Sequence, residues 1–261
     1  MSTLPEYKGV LSIKVSNIRH WTDQTFSFEC HRPDTFRFRS GEFVMIGLEG
    51  NGKPLLRAYS IASPNWQDTL EFYSIKVEDG PLTSKLQLLT EDDYIYMRPK
   101  PVGTLVHDAL LPGKRLILFA TGTGIAPFGS IIRDPETYEK FSEVWVTHTC
   151  RTGLELAYTK DLLKKFESNS LLKEMTDNKL KHIFTTTREK SELMGRMTQL
   201  IDNDTFEHLT GKRLSLEMDR VMICGSLAML EDHKRICESL GMEEGSNSKQ
   251  GHYVIEKAFV D

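Results

Sequence analysis

Apolar and polar residues alternate through short stretches of the first hundred residues, as in Leu11, Ile13 and Val15 against Ser12, Lys14 and Ser16. A period of two sends successive side chains to opposite faces of an extended strand. The pattern predicts strands at residues 10–18, 25–30, 42–48, 57–62, 70–77 and 94–97, with one short helix at 82–89. Ser40-Gly41, Gly50-Asn51-Gly52 and Ser63-Pro64-Asn65 supply turns between them. Many short strands separated by turns imply an antiparallel barrel or sandwich.

Beyond Pro112-Gly113 the pattern changes, and continuous apolar runs such as Leu116-Ile117-Leu118-Phe119-Ala120 alternate with helical segments. Strands are predicted at 115–120, 143–148, 181–186, 220–224 and 253–259, and helices at 127–133, 155–166, 197–202 and 227–240. In the last helix Met229, Leu230, His233, Ile236, Cys237 and Leu240 recur at the spacing of one buried face. Strand and helix in alternation imply a parallel, doubly wound α/β sheet. Two domains follow, an antiparallel β-barrel over residues 1–113 and an α/β domain over 114–261, and a chain of 261 residues is long enough for both.

Composition narrows the function. With 39% hydrophobic and 27% charged residues the chain is an ordinary globular one. Its net charge of -4, with both signs mixed along the sequence, gives no general attraction to nucleic acid or to a membrane surface. The first ten residues lack the basic and apolar regions of an export signal, and no apolar run is long enough to span a bilayer, so a cytoplasmic protein is expected. Cys30, Cys150, Cys224 and Cys237 form no C-x-x-C pair and lack the close spacing of zinc or iron-sulfur ligands. No metal site is expected, and a redox cofactor would be organic.

Four short motifs carry candidate chemistry. In Arg57-Ala58-Tyr59-Ser60, strand alternation puts Arg57 and Tyr59 on one face and Ser60 on the other; alone, such a quartet also suits plain strand filler. Gly80-Pro81-Leu82-Thr83-Ser84 opens the short helix, where free amides and two hydroxyls could hold an anion, or could simply cap the helix. Gly122-Thr123-Gly124-Ile125-Ala126-Pro127 follows an apolar strand and opens a helix, the context of a dinucleotide phosphate loop. Pro127 stands where the usual fingerprint has its third glycine, so a ligand-free tight turn remains open. Cys224-Gly225-Ser226 ends a later strand at the sheet edge where open α/β folds bind ligands, although a lone buried cysteine also fits a core.

Taken in order, R-x-Y-S, G-P-L-T-S, G-T-G-I-A-P and C-G-S resemble the ferredoxin-NADP(H) reductase superfamily over nearly the whole chain. The carboxyl end, Tyr253-Val254-Ile255-Glu256-Lys257-Ala258-Phe259-Val260-Asp261, is similar to the bacterial branch, which has an alanine where plastid enzymes end in an aromatic residue, followed by a short extension. The resemblance implies a first domain that binds FAD and a second that binds NADP(H). By the same resemblance, Arg57 and Ala58 would border the flavin, with Arg57 on its pyrophosphate; Tyr59 would stack on the ring and Ser60 would bond near N5. Gly80, Leu82, Thr83 and Ser84 would hold the pyrophosphate. Thr121, Gly122, Thr123, Gly124 and Gly225 would lie beside the nicotinamide nucleotide, and Cys224 would approach the nicotinamide. Glu256 matches a carboxylate that assists catalysis, Ala258 occupies the position that covers the flavin face, and Phe259 would pack on the adenine end of a bent FAD.

For the NADPH 2′-phosphate the resemblance points to Arg151, Arg188 and Arg196, whose guanidinium forks suit a phosphate dianion. Each also fits a solvated surface arginine, and Glu189 beside Arg188 dilutes the charge. The implied activity is an exchange of hydride with NADPH and of single electrons with ferredoxin or flavodoxin, by a monomer. Two rivals share the motifs: an NAD(P)H:flavin or cytochrome reductase, and a non-catalytic flavin subunit that relays electrons in a larger complex. The latter usually carries an iron-sulfur cysteine cluster, which this sequence lacks.

Overall fold

Residues 5–176 and 178–257 are described by the structure, a computed structural model. Six strands come first: β1 (Leu11–His20), β2 (Thr25–His31), β3 (Phe43–Glu49), β4 (Pro54–Ser60), β5 (Thr69–Ile75) and β6 (Tyr94–Met97), with the helix α1 (Thr83–Leu86) before β6. They pair antiparallel in the order β4-β3-β6-β1-β2-β5. The predicted alternation sets the faces, since Ile13 and Val15 enter a core with Phe26, Phe28, Ile46, Leu70 and Phe72. Ala62 N–H donates to the Glu71 carbonyl at 2.8 Å, drawing the ends of edge strands β4 and β5 together and curling the sheet toward a barrel.

Two predicted elements change here. The strand expected at 57–62 starts three residues earlier and ends two earlier, because Leu55 and Pro54 already pair with Leu48 and Glu49 and Ala62 leaves for β5. The helix expected at 82–89 contracts to four residues, because Leu88 and Leu89 donate to Lys85 and Leu86, the tighter bonds of a 3₁₀ turn.

The second half holds β7 (Arg115–Thr121), α2 (Ala126–Ile131), α3 (Pro135–Lys140), β8 (Glu143–Cys150), α4 (Ala157–Ser168), α5 (Ser170–Thr176), β9 (Leu180–Thr186), α6 (Met197–Asp202), α7 (Thr205–Thr210), β10 (Asp219–Gly225), α8 (Leu227–Ser239) and β11 (Tyr253–Lys257). Its five strands are all parallel, in the order β11-β10-β7-β8-β9. After β7 the chain builds outward through β8 and β9, then returns to place β10 on the other side. The order therefore reverses between β7 and β10, which opens a crevice at their carboxyl ends. One core of Leu116, Leu118, Ile131 and Val146 lies on one face, and another of Ile117, Phe119, Phe206 and Ile223 lies on the other.

The two sheets share the first of these cores. Ala62, Tyr73, Leu105 and Val106 join it from the first half, and Tyr73 stacks on Tyr158 of α4 with centroids 4.2 Å apart. Arg133, just past α2, is buried and donates to the Ala62 carbonyl at 2.6 Å and to the Glu71 carboxylate at 3.0 Å. A buried ion pair thus crosses the boundary between the sheets. No described helix is long and apolar enough to cross a membrane.

Candidate functional site

The crevice between β7 and β10 is built by close backbone approach. A Cβ on Gly124 would lie 2.2 Å from the Cys224 carbonyl oxygen, and one on Gly225 would lie 2.2 Å from Thr121 Oγ1. The turn Gly122–Ile125 therefore packs directly on the end of β10, and larger residues would push it out. Gly122 has φ +54° and nothing within 4 Å of the Cβ position, so its surface is open to a ligand. Ser226 caps the 13-residue helix α8 by accepting from Met229 N–H, aiming the positive end of its dipole at the same crevice. These features fit a dinucleotide phosphate and settle the turn's local geometry without a third glycine.

His148, which the sequence did not single out, steadies that turn. Its Nε2 lies 2.8 Å from the Gly122 carbonyl and its Nδ1 lies 2.8 Å from Thr159 Oγ1. A carbonyl only accepts, so Nε2 carries the proton and the Thr159 hydroxyl donates to Nδ1. Burial pulls the ring's pKa down to about 4, which keeps this tautomer neutral. In the sequence His148 reads as one more residue of a buried strand, between Thr147 and Thr149, with nothing to single it out.

The flavin motif lies on β4, whose seven residues are all half-exposed, unlike the buried strands β2 and β5. An edge strand with an uncovered face fits a flat ligand. Arg57 and Tyr59 pair with Ile46 and Val44 of β3, and Ser60 pairs with Phe43. The Arg57 guanidinium donates to the Leu56 carbonyl at 3.0 Å and forms no ion pair among the described residues. Tyr59 packs edge-on to Phe72 at 6.5 Å, and burial raises its phenol pKa, so it stays neutral. Ala58 contributes only a small side chain on the same strand.

The Gly80 loop offers amides more than hydroxyls. Leu82 and Thr83 N–H groups donate to no acceptor among the described residues, which fits an anion there. The hydroxyls of Thr83 and Ser84 donate to the carbonyls of Val77 (3.4 Å) and Gly80 (2.6 Å), shaping the loop. The short α1 has too few aligned peptides for the strong dipole that a longer helix would supply.

Glu256 joins the two halves. It lies opposite Cys224 in the β10–β11 register, and Thr104 N–H donates to its Oε2 at 3.4 Å while Thr104 Oγ1 donates to the Ile255 carbonyl at 3.0 Å. A Cβ on Gly103 would sit 3.2 Å from Glu256 Oε2 and 3.5 Å from the Phe43 ring, and Phe43 is the register partner of Ser60. Ser60, Phe43, Gly103, Glu256 and Cys224 thus form a continuous path from the first sheet to the second. Burial raises the Glu256 carboxyl to about 8; the Thr104 and Leu105 amides oppose this and the Glu42 charge adds to it. The Cys224 thiol is fully buried, and burial, with Glu256 nearby, holds it well above its usual pKa. It is a neutral thiol and no nucleophile.

The three candidate arginines are exposed at the carboxyl edge of β8 and β9, and none forms an ion pair among the described residues. Arg188 N–H donates to the Arg151 carbonyl at 2.9 Å, so their two loops are stitched side by side. Arg196 precedes α6, where Gln199 reaches back to its amide at 2.9 Å. Glu189 does not neutralise Arg188; it accepts from Gly153 N–H at 2.5 Å and shapes the Arg151 loop. Ala258 and Phe259 lie outside the described residues.

Residues 13–107 match the family of oxidoreductase FAD-binding domains, and residues 118–235 match that of oxidoreductase NAD-binding domains. Over 248 residues the chain is 56% identical to a flavodoxin/ferredoxin–NADP reductase of Rhodobacter capsulatus, covering 94% of this chain and 92% of the relative. It is 46% identical over 250 residues to a ferredoxin–NADP reductase of Pseudomonas aeruginosa, covering 95% of this chain and 97% of that one. In three dimensions it is similar to a ferredoxin NADP+ reductase of Neisseria gonorrhoeae with bound FAD and NADP. The TM-score is 0.87 at 27% identity, covering 97% of this chain and 100% of the other.

Proposed function

This chain belongs to the bacterial-type ferredoxin/flavodoxin–NADP reductases, and on that premise we propose that it exchanges electrons between NADPH and ferredoxin or flavodoxin at the crevice that Glu256 bridges. Bound FAD would accept or donate hydride on one side and release or take single electrons on the other. The chain's own residues bind, orient and exclude water. The division of labour follows the two sheets, with residues 1–113 for FAD and 114–261 for NADP(H).

Arg57 and the free amides of Leu82 and Thr83 would carry the flavin pyrophosphate, with Gly80 and Ser84 shaping their loop. The open face of β4 would take the ring, with Tyr59 and Ala58 along it and Ser60 at its reacting edge. Gly122, Thr123 and Gly124, steadied by His148, would receive the nicotinamide nucleotide with Thr121 and Gly225. Arg151, Arg188 and Arg196 would meet its 2′-phosphate. Cys224 would approach the nicotinamide as a small uncharged residue beneath the crevice surface, and Glu256, protonated at neutral pH, holds a proton at the junction without adding a buried charge. Ala258 and Phe259 would complete the flavin cover. The same reading gives a cytoplasmic monomer whose partners are small electron carriers.

The observation that carries this proposal is the path from Ser60 to Cys224 through Glu256, because it brings both nucleotide motifs to one place. It is tested by denaturing the yellow protein and weighing what is released. FAD supports the proposal, whereas FMN, or a protein that takes up no flavin, contradicts it.

A further inference from the structure

Outside the crevice, the fold collects a second group of functional side chains where the short turn His107–Ala109 meets the start of α3. His107 and Asp134 are 6% and 4% exposed, so both are more than nine-tenths buried, and Glu136 is half-buried beside them. One ligand atom from each of the three lies within 4.8 Å of the others. His107 is far in sequence from Asp134 and Glu136, and only the folding of α3 against the turn brings it to them.

Thr137 fixes the imidazole. Its hydroxyl donates its single proton to the Ile131 carbonyl at 2.6 Å, so toward His107 Nε2, at 2.9 Å, it can only accept. Nε2 therefore carries the ring proton. Nδ1 is left with a bare lone pair. It has no hydrogen-bond partner among the described residues and faces Glu136 Oε2 at 3.8 Å. The lone pair faces one oxygen of a carboxylate whose other oxygen is paired with Lys140 Nζ at 2.8 Å.

The surroundings agree. A cavity of about 30 Å³ opens beside the triad, lined by Arg39, Ser40, Asn65, His107, Asp134 and Glu136. That is room for one water-sized species. Four carboxylates, Glu42, Asp108, Asp134 and Glu136, stand against two cations, Arg39 and Lys140, which leaves an excess of negative charge. Asp134 is oriented by Asn65 Nδ2 at 3.1 Å and by Glu136 N–H at 3.0 Å, and each of its oxygens keeps a second lone pair.

We propose that His107 Nδ1 and one carboxylate oxygen each from Asp134 and Glu136 form a site for a first-row divalent cation, zinc above all, with solvent completing the shell. One nitrogen and two oxygens suit zinc, whereas magnesium prefers an all-oxygen shell. Tetrahedral bonds of about 2.0–2.1 Å place ligand atoms about 3.3 Å apart. His107 and Glu136 already stand at 3.8 Å, so the wider gap, between His107 and Asp134 and at most 4.8 Å, must close by movement of the buried Asp134 or His107 side chain. The ion would clip the turn that leaves the first sheet to α3 of the second half, so its role is to hold the two together. All four cysteines are buried and offer no competing thiol.

The test is isothermal titration of the FAD-loaded, chelator-washed protein with zinc chloride, and separately with magnesium chloride. One saturable zinc site per chain is expected, with affinity falling at least about tenfold in Glu136→Gln and in His107→Gln. Zinc should also raise the unfolding temperature of the unaltered protein and not that of Glu136→Gln. Glu136 is half-buried, so that variant keeps the test valid even if His107→Gln loses its flavin. Absence of saturable zinc binding, equal zinc affinity in Glu136→Gln and the unaltered protein, or magnesium binding as tight as zinc would overturn the site.

Discussion

Glu256 is a carboxyl whose surroundings favour the proton. Its folded pKa of about 8 lies above that of an unfolded carboxylate, so the folded protein binds an extra proton between the two values. The stability this confers is fully present below the ordinary carboxylate range and fades as pH rises toward about 8. If the protonated form serves hydride transfer, the rate falls above about pH 8 in the unaltered enzyme. Glu256→Gln, which mimics that form, should keep most of the rate at pH 7 and lose the alkaline fall. Stopped-flow rates across pH decide it, and an unchanged alkaline limb in the variant removes Glu256 from that role. Arg188 is a different case, since its guanidinium has no partner among the described residues and its proposed partner is the 2′-phosphate. Losing one charge-assisted bond costs about 1.5–3 kcal/mol, so Arg188→Ala should weaken NADPH use roughly tenfold to more than a hundredfold and leave NADH nearly unaffected. Equal losses with both nucleotides would give the arginine a structural role.

Among elements, the meeting of the β7 turn with the end of β10 bears most on nucleotide binding. Gly124→Ala places a methyl 2.2 Å from the Cys224 carbonyl, a backbone atom that cannot rotate away. Overpacking of this kind costs about 1–3 kcal/mol. The variant should melt at lower temperature and bind NADPH more weakly while retaining FAD, and unchanged NADPH titration would show that the turn does not contact the nucleotide. The strands and this turn were legible because strand alternation and a glycine pair after an apolar run are local signals. The helices α3, α5 and α7 were not predicted, since each shows too little of a repeating apolar face. His148 and the triad at His107 were illegible for another reason: their meaning lies in partners brought close by the fold, Gly122 and Thr159 in one case and Asp134 and Glu136 in the other.

At the scale of the whole molecule, the crevice keeps its shape only if the two sheets hold their relative position. The buried pair of Arg133 and Glu71 crosses their boundary, with the Tyr73–Tyr158 stack beside it. Removing one partner leaves the other charged and buried, at a cost of about 3–5 kcal/mol. Arg133→Met should therefore lower the chemical denaturation midpoint markedly, and an unchanged midpoint would show that other contacts carry the interface. The central claim concerns what the assembled molecule does. Its most direct test is anaerobic turnover of the FAD-loaded protein with NADPH or NADH and a purified ferredoxin or flavodoxin as acceptor. The account predicts that both electrons of each NADPH reach the one-electron carrier, and that NADH is a much poorer donor. Failure to reduce either carrier, with electrons passing only to free flavin, would contradict it.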